Sequence, residues 1–288
     1  MTTGVLDKAR VLVEALPYIR RYSGRVVVVK YGGHAMTSAT AVGSFARDIA
    51  LMHYVGIHPV VVHGGGPQIS ELMMRLDQTP SFVDGHRVTG AQELDVVRMV
   101  LQKTNKELVS AINEHGDIAV GISGEDAGLL RASPLQSASG QDLGFVGSVE
   151  AVHPRVALGL VESGFVPVVA PIGVGAGGQA FNINADLVAG ALARSLRASK
   201  LVYLTDVDGL YRDLGDSGSL ISSVSASELE RMAQQGSLSE GMIPKAAGCV
   251  EAVRGGVERA HILDGGVEHA LLLEVFTDSG VGTMVEAS

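Results

Sequence analysis

The sequence predicts an α/β protein in which helices cover both faces of a mostly parallel, open β-sheet. Unbroken apolar runs such as residues 26–29 and 166–170 are typical of strands that are buried on both faces. Amphipathic segments of helical periodicity alternate with these strands, which favours crossover connections between parallel strands. One further amphipathic segment precedes the first strand, so the prediction includes an extra N-terminal helix.

The high glycine content does not indicate a fibrous or disordered chain. Glycine accounts for 37 of the 288 residues, about 13%, against an average of roughly 7%. These glycines have no fixed period and lie between runs of Val, Ile, Leu and Ala, unlike collagen or low-complexity sequence. A chain of this length buries about three quarters of its extended surface. We therefore expect a soluble globular protein with a substantial core.

The charge balance and the apolar pattern exclude several classes of partner. The 22 basic and 31 acidic residues give 22 − 31 = −9, without a basic run that contains aromatics, so no nucleic-acid binding is predicted. No apolar run approaches the ~20 residues of a membrane span, and Asp7 and Glu14 interrupt the N-terminal segment. We expect no membrane association and a cytoplasmic location. Cys249 is the single cysteine and the histidines lack metal-ligand spacing, so neither a disulfide nor a metal site is predicted.

The N-terminal segment is predicted to be an amphipathic helix over residues 5–21. Leu6, Ala9, Val13 and Leu16 recur at helical spacing, and Pro17 is expected to kink or split the helix. The apolar face needs a partner, which is either the body of the same chain or another subunit.

The remaining elements follow in order along the chain. In the first half, strands are predicted at 25–30, 59–63, 118–122 and 166–170, helices at 39–55, 68–76 and 92–115, and β-hairpins covering one sheet edge within 129–149. In the second half, a helix capped by Asn is predicted to begin within 182–186, and a strand is predicted at 200–206. A capping box at Ser227 predicts a helix that ends near Gly236. Pro244 predicts the start of a last helix, which ends at 255–256. Strands at 261–263, 270–276 and 283–285 end the chain, and a lobe boundary is predicted near residues 172–180.

Three glycine loops follow strands, and the loop at residues 63–66 is a candidate anion site. Lys30 precedes Gly32 and Gly33, and residues 63–66 read His-Gly-Gly-Gly before a helix. None of these loops is a Walker A or a Gly-x-Gly-x-x-Gly motif. Backbone N–H groups of 64–66 together with the helix N-terminus suit a phosphate or carboxylate, although a tight strand–helix turn would give the same pattern.

Several charged residues have both a structural and a functional interpretation. Lys30 either extends off the sheet edge or points into a cleft. Lys245 lies at a helix start, where the dipole disfavours a cation, so something must compensate it, and a bound polyanion would. Asp186 is either a first-turn helix acid or, with Asn182 and Asn184, part of a site.

Two more groups of polar residues remain open at this point. Asp206 and Asp208 are turn residues, Mg²⁺-associated acids or ribose contacts. Arg87 follows a polar loop and can bind a substrate carboxylate in a bidentate manner.

Six segments in this order resemble the amino-acid kinase family, with similarity over residues 22–286. They are Val-Lys30-Tyr-Gly-Gly33, Val-His-Gly64-Gly-Gly66-Pro-Gln, Gly-His-Arg87-Val-Thr, Asn182-Ile-Asn-Ala-Asp186, Leu-Thr-Asp206-Val-Asp-Gly-Leu-Tyr211 and Gly-Met-Ile-Pro-Lys245. The resemblance implies a three-layer αβα sandwich with an acidic-substrate lobe at residues 23–173. Residues 174–288 would form a nucleotide lobe with a C-terminal regulatory segment. The Arg87 and Asn182 positions favour the branch that phosphorylates N-acetyl-L-glutamate over the carbamate, aspartate, glutamate and uridylate kinases.

The resemblance also implies an activity, namely phosphorylation of the N-acetyl-L-glutamate side-chain carboxylate by MgATP to give an acyl phosphate and ADP. Lys30 and Lys245 would stabilise the transition state and Asp186 would orient them. Gly65, Gly66, Arg87 and Asn182 would bind the substrate. The nucleotide would be bordered by Gly33, Asp206, Val207, Asp208, Gly209, Leu210, Tyr211, Ser237, Leu238 and Ser239. Mg²⁺ would be held mainly through the nucleotide phosphates.

Arginine-inhibited members of the family share the extra N-terminal helix. The resemblance implies that residues 1–22 interlace dimers into a hexamer, a trimer of dimers, and that L-arginine binds near His261, Glu274 and Gly280. Arg212 stands where those members often have Lys. The alternatives are a family member acting on another acidic substrate, or a catalytically silent arginine-sensing scaffold.

Overall fold

The computed structural model describes residues 3–33, 36, 38–213, 216–239, 241–277 and 280–288. The helices are α1 (Thr3–Tyr22), α2 (Ala39–Tyr54), α3 (Gly66–Arg75), α4 (Ala91–Asn113), α5 (Arg155–Glu162), α6 (Ala185–Ser195), α7 (Ala226–Gln234), α8 (Ile243–Arg254) and α9 (Ala270–Phe276). The strands are β1 (Val26–Tyr31), β2 (His58–His63), β3 (Phe82–Val83), β4 (His86–Arg87), β5 (Ala119–Ser123), β6 (Leu130–Pro134), β7 (Val146–Val152), β8 (Val166–Ala170), β9 (Ile172–Val174), β10 (Ala180–Ile183), β11 (Lys200–Thr205), β12 (Leu210–Tyr211), β13 (Leu220–Ile221), β14 (Ser223–Ser225), β15 (Arg259–Asp264) and β16 (Gly282–Glu286).

An eight-stranded sheet forms the middle of the fold, in the order β14-β16-β15-β11-β1-β2-β8-β5. All neighbouring strands in this sheet are parallel except β15 and β16, which confirms the predicted mostly parallel sheet. β1 lies between β2 and β11, so the first and second halves of the chain meet at the centre of the sheet.

Helices cover both faces of this sheet because successive residues of its strands enter different cores. Val28 packs in the core that contains residues of α6 and α8. Val27 and Val29 pack in the opposite core with residues of α2, α4 and α9. This alternation, the period of two of a β-strand, confirms the three-layer arrangement and puts Lys30 on the side of α6.

The hairpins expected at the edge of the main sheet belong instead to a second, smaller sheet. β6 and β7 are antiparallel as predicted within residues 129–149, but they join β9 and β10 in a separate closed four-stranded barrel. Glycines permit this closure: a Cβ on Gly147 would lie 2.7 Å from Cβ of Phe181, and one on Gly173 would lie 2.9 Å from Cβ of Ala132. Residues 172–180 form the β9–β10 hairpin of this barrel, and the lobe boundary there stays a prediction.

Two assignments of local structure were wrong. Residues 270–276 form helix α9 instead of a strand, with Ala270, Leu271, Glu274 and Val275 buried along one helical face. A short apolar run does not distinguish a strand from a buried helix by periodicity. The cap of α7 is Ser225, whose Oγ accepts from the Glu228 amide at 3.1 Å, because Ser225 is the last extended residue.

The predicted N-terminal helix is confirmed as α1, and it continues through Pro17 without a split. Tyr18 and Tyr22 pack against the body of the chain. Val11, Leu12, Val13 and Leu16 are all more than half exposed. In the described part of the chain, no helix has both the length and the hydropathy needed to cross a membrane.

Candidate active site

Asp186 links two lysines that are distant in sequence. Its Oδ1 lies 2.8 Å from Nζ of Lys30, and its Oδ2 accepts a hydrogen bond from Nζ of Lys245 at 3.1 Å. The Lys245 ammonium also donates to the Gly241 carbonyl at 3.0 Å. All three ionic side chains are at least 88% buried, so the pairing occurs away from bulk water.

Each member of this triad lies at the end of a regular element. Lys30 is the penultimate residue of β1, and Asp186 and Lys245 lie in the first turns of α6 and α8. The Asn184 side chain caps α6 by accepting from the Asp186 amide at 2.8 Å, which fixes the carboxylate at the helix start. Lys30 therefore points into the cleft, and Asp186 is the anion that compensates Lys245 at the positive end of α8.

Opposing effects set the protonation of Asp186. Burial raises the pKa of this carboxyl, but the ammonium groups of Lys30 and Lys245 outweigh burial and hold the pKa below its usual value. Asp186 is therefore ionised, and the triad carries a net charge of +1 at neutral pH. Since two cations surround one buried anion, the site is electrostatically prepared for another negative group.

Gly32 is required for the position of the Lys30 side chain. A Cβ on Gly32 would overlap the end of that side chain and would lie 2.9 Å from its Cε. Lys30 thus folds back over its own loop toward Asp186. The next glycine, Gly33, has φ of +72°, a left-handed conformation that favours glycine.

The second glycine loop follows β2 and forms the N-terminus of α3. Gly65 is the N-cap of α3, and a Cβ there would lie 2.7 Å from Cδ2 of Leu101. A Cβ on Gly64 would be 3.7 Å from Cα of Gly32, so the two glycine loops lie against each other. Among the described residues, no neighbouring group lies within 4 Å of where a Cβ on Gly66 would be, and Gly66 lines the cleft.

A buried imidazole that the sequence did not reveal supports this loop. Nδ1 of His63 contacts the Gly64 carbonyl oxygen at 2.8 Å, and its Nε2 contacts Nδ2 of Asn105 at 3.2 Å. Burial lowers the pKa of His63 to about 4, so the ring is neutral at pH 7. Nδ1–H then donates to Gly64 while Nε2 accepts from Asn105. The one available signal was an asparagine at 105 on the apolar face of α4 between Leu101 and Leu108.

Arg87 contributes a guanidinium to the same cleft. Nη2 donates to the Gly66 carbonyl at 3.0 Å and to Oγ of Ser70 at 2.6 Å. The guanidinium also stacks 4.8 Å from the ring centre of Phe82. Within the described residues no carboxylate pairs with Arg87, and burial lowers its pKa. A buried cation without an internal anion is suited to a carboxylate ligand.

Asn182 and Arg87 are joined through a residue missed in the sequence. Nδ2 of Asn182 donates to Oγ1 of Thr89 at 3.2 Å, and that hydroxyl donates to the Arg87 carbonyl at 2.8 Å. Thr89 is fully buried. The β10 strand that carries Asn182 is thereby connected to the segment that carries Arg87.

These residues line one cleft of about 270 Å³. Seven of the predicted site residues border it: Lys30, Gly33, Gly65, Gly66, Arg87, Asn182 and Asp186. Lys245 reaches it through Asp186. Among the residues that the structure describes, no group of three or more His, Cys, Asp or Glu could hold a metal ion.

The predicted nucleotide residues form two segments near the triad. A Cβ on Gly33 would lie 3.6 Å from Asp206, which places the turn after β11 beside the first glycine loop. Tyr211 donates to Oδ2 of Asp208 at 2.6 Å, and the Leu210 side chain is buried in the core. Val207 is exposed, and Gly209 packs against Thr283.

The second segment, Ser237, Leu238 and Ser239, directly precedes α8. The Ser239 carbonyl accepts from the Met242 and Ile243 amides at 2.9 and 3.2 Å. Leu238 packs against the main core. Nucleotide contacts of both segments stay a prediction.

Three of the four residues predicted to bind arginine form a separate cluster. Nδ1 of His261 lies 2.9 Å from Oε1 of Glu274, and a Cβ on Gly280 would lie 3.8 Å from Oε2. Lys200, which was missed in the sequence, pairs with the same Oε1 at 2.9 Å. In the described part of the chain, no contact joins Arg212 to this cluster; its backbone N–H donates to the Ser219 carbonyl.

Comparisons with known proteins identify the family and support the fold. The model of the amino acid kinase family matches residues 25–264. A protein from Symbiobacterium thermophilum named acetylglutamate kinase is 55% identical over 291 residues, covering 99% of both chains. One of the same name from Desulforamulus reducens is 50% identical over 280 residues, covering 97% of this chain and 98% of the other.

A solved structure extends this similarity. N-acetylglutamate synthase from Neisseria gonorrhoeae, in complex with coenzyme A and N-acetyl-glutamate, is 28% identical with a TM-score of 0.86. The match covers 97% of this chain and 63% of the synthase chain. The same synthase with coenzyme A and L-arginine gives 28% identity and a TM-score of 0.82, covering 97% of this chain and 65% of the other. The chain thus spans less than two thirds of that synthase.

Proposed function

The chain belongs to the amino-acid kinase family, and we propose that it transfers the γ-phosphoryl group of ATP to the side-chain carboxylate of N-acetyl-L-glutamate. The products are N-acetyl-L-glutamyl 5-phosphate and ADP, and the reaction is a step of arginine biosynthesis. The observation that carries this proposal is the Lys30–Asp186–Lys245 triad on a cleft that Arg87 also lines, a cation with no carboxylate partner among the described residues.

The triad has the charge that phosphoryl transfer requires. Charge develops on the oxygens of the transferring group, and fixed cations lower the barrier because they need no reorganisation. Lys30 and Lys245 approach Asp186 from two different elements, so the carboxylate holds their ammonium groups apart and in fixed directions. Amides at the start of α3, at Gly65 and Gly66, add donors on the same cleft.

The nucleophile needs no general base. A γ-carboxylate with a reference pKa of ~4.3 is ionised at neutral pH and attacks phosphorus directly. One P–O bond forms to the carboxylate while the bond to the β–γ bridging oxygen breaks, and ADP leaves with that electron pair. The neutral His63 is buried with both ring nitrogens occupied, in agreement with a mechanism that moves no proton at this step.

The substrate would span the cleft between the triad and Arg87. The reacting carboxylate lies toward Lys30, and the α-carboxylate lies on the guanidinium of Arg87, with Asn182 beside it. Arg87 retains free N–H donors after its bonds to Met73, Gly66 and Ser70. Loss of such a charge-assisted contact affects substrate binding more than the chemical step.

The nucleotide would lie on the side of Gly33, along the 206–211 turn and the 237–239 segment. Mg²⁺ would be held mainly by the phosphate oxygens of ATP and would neutralise part of their charge. The carboxylates of the turn already have protein partners, Thr205 for Asp206 and Tyr211 for Asp208, which fits a secondary role in metal binding.

Feedback inhibition by L-arginine is a second part of the proposal. His261, Glu274 and Gly280 lie together, and Oε2 of Glu274 is the carboxylate oxygen that faces Gly280. A guanidinium would pair with that oxygen. Support comes from the related synthase structure that contains L-arginine.

The exposed apolar side chains of α1 support a proposed homo-oligomer, a hexamer built as a trimer of dimers. Four neighbouring apolar side chains, Val11, Leu12, Val13 and Leu16, are exposed on this helix, which a second copy would cover. Removal of residues 1–21 should lower the mass measured by light scattering to that of a dimer and weaken arginine inhibition. A truncated chain that remains hexameric would contradict this arrangement.

A substrate panel tests the proposed activity. Purified protein with MgATP should release ADP in the presence of N-acetyl-L-glutamate and release far less with glutamate, aspartate or carbamate. The same panel repeated with L-arginine tests inhibition. Preference for another acidic substrate would replace the substrate assignment, and no ADP release with any of them would favour a silent scaffold.

A further inference from the structure

Helices α6 and α8 run side by side in the same direction away from the active site. Asp186 and Lys245 pair at their first turns. Two turns further along, Nη1 of Arg194 lies 3.3 Å from Oε1 of Glu251. The distance between the two helices therefore determines where the Lys245 ammonium meets Asp186.

Between these pairs, Gly190 and Gly248 bring the backbones of the two helices into direct contact. A Cβ on Gly190 would lie 2.8 Å from both Cα and the carbonyl oxygen of Gly248. Real Cβ atoms do not approach backbone so closely, so neither position accepts a side chain without moving the helices apart. This backbone contact is closer than ordinary side-chain packing allows, and it holds the two first turns together.

A buried tyrosine contacts the same point from the sheet. Oη of Tyr203 donates to the Asp186 carbonyl at 2.8 Å, and the residue is fully buried. Burial raises the pKa of Tyr203 well above its usual value, so the hydroxyl remains a donor at any working pH. Tyr203 on β11 is the register partner of Lys30 on β1. One strand pair thus supplies both a cation to the Asp186 carboxylate and a donor to its backbone.

Gly248 leaves the space that this hydroxyl occupies. A Cβ on Gly248 would overlap Oη of Tyr203 and would lie 2.9 Å from the Asp186 carbonyl oxygen. We propose that Tyr203 and Gly248 are positioning residues for phosphoryl transfer. They fix the backbone of Asp186 against β11 and α8, and thereby set the distance between the ammonium groups of Lys30 and Lys245. This inference rests on the function proposed above. Neither residue touches the cleft, so both act through Asp186.

Tyr203→Phe removes the hydroxyl and keeps the ring. The lost hydrogen bond corresponds to about a five- to tenfold fall in kcat, with KM for both substrates within about twofold of the wild type. A kcat within twofold of the wild type overturns the inference. The inference is also overturned if the fall in kcat equals the loss of folded protein that thermal unfolding measures for this variant.

Gly248→Ala forces the hydroxyl and the carbonyl apart. A displacement near 1 Å at the reacting groups lowers kcat about 100-fold. In the double variant Tyr203→Phe/Gly248→Ala, the new methyl group occupies the space of the missing hydroxyl. The kcat of the double variant should therefore exceed that of Gly248→Ala alone. If the effects of the two single variants on the activation free energy simply added in the double variant, the two residues would not act through the same contact. Gly159→Ala on α5 is the control and should leave kcat unchanged, because in the described part of the chain no tertiary contact lies within 4 Å of the added Cβ.

A structural measurement separates this inference from the proposed activity. In crystals, the distance between Lys245 Nζ and Asp186 Oδ2 should exceed 3.1 Å in Gly248→Ala and stay unchanged in Gly159→Ala. An unchanged distance in Gly248→Ala overturns the positioning role whatever the substrate is. A wild-type chain that releases no ADP would refute the proposed function and leave this distance test valid.

Discussion

Nζ of Lys200 lies 2.9 Å from Oε1 of Glu274, and both side chains are more than 90% buried. Lys200 begins β11 and Glu274 lies on α9, while the same ammonium lies 5.3 Å from the Tyr22 ring centre in α1. The ion pair therefore joins the sheet, α9 and the N-terminal helix. An arginine bound at Glu274 would meet a carboxylate that Lys200 already neutralises in part.

Breaking this pair should destabilise the protein. Lys200→Met leaves Glu274 buried with His261 alone, and removal of one partner of a buried pair costs about 3–5 kcal/mol. Urea unfolding at pH 7 measures the free energy. Lys103→Met is the control, since Lys103 pairs with Glu107 on an exposed helical surface and should cost below about 0.5 kcal/mol.

The destabilisation caused by Lys200→Met should depend on pH. His261 and Lys200 hold the pKa of Glu274 below its ordinary value against the effect of burial. The stability that the ionised carboxylate contributes is present above the ordinary pKa of Glu and is lost as pH falls through the lower folded value. The difference between wild type and Lys200→Met should therefore shrink in that acidic window. A difference independent of pH would show that the variant acts through packing alone.

Lys245→Ala should abolish most phosphoryl transfer. It removes one of two cations on the transferring group, and loss of one such donor lowers kcat about 10²–10³-fold. ADP release dependent on N-acetyl-L-glutamate is the assay. Undiminished activity would show that the lysine assignment is wrong, and Lys103→Ala controls for the loss of a positive charge elsewhere.

Arg87→Lys should separate binding from chemistry. A lysine cannot reproduce the planar fork that contacts Gly66 and Ser70 while presenting donors to a carboxylate. We expect KM for N-acetyl-L-glutamate to rise about 10–100-fold while KM for ATP stays constant. Arg98→Lys, at an exposed pair with Glu125, should change neither constant. An equal rise in both KM values would exclude a specific role for Arg87.

His63 should give the stability a pH dependence. Its folded pKa of about 4 lies below the ordinary 6.5, so the unfolded chain binds more protons than the folded chain between these values. Stability should fall by about 3 kcal/mol as pH drops from 6.5 to 4, since each pKa unit corresponds to about 1.4 kcal/mol.

Unfolding free energies of the wild type and His63→Gln over this range measure that contribution as a difference. Asp48 changes stability in the opposite direction, because burial raises its pKa to about 6, and the difference between the two proteins removes this effect. Parallel curves for wild type and His63→Gln would mean that His63 is not the titrating group.

Local patterns in the sequence were enough to predict the parallel sheet and the glycine loops, and to select Lys30, Asp186 and Lys245 as candidate residues. Unbroken apolar strands bury both faces, and glycines after strands leave backbone amides exposed, so both features can be read from local pattern. The lysine at the start of α8 implied a compensating group, for which the sequence suggested a bound polyanion; in the structure the Asp186 carboxylate accepts a hydrogen bond from it. Residues 270–276 were misassigned because a seven-residue apolar run satisfies a strand and a buried helix equally well.

The residues that support the site from behind become visible only in the folded structure. His63 with Asn105, Tyr203 with Gly248 and Thr89 with Asn182 are separated by between 42 and 93 positions in sequence. Their contacts depend on how closely helices and strands approach, a quantity set by packing of the whole core and not by any local pattern. Local chemistry therefore predicted the candidate groups for phosphate binding, whereas long-range packing sets the distances between them.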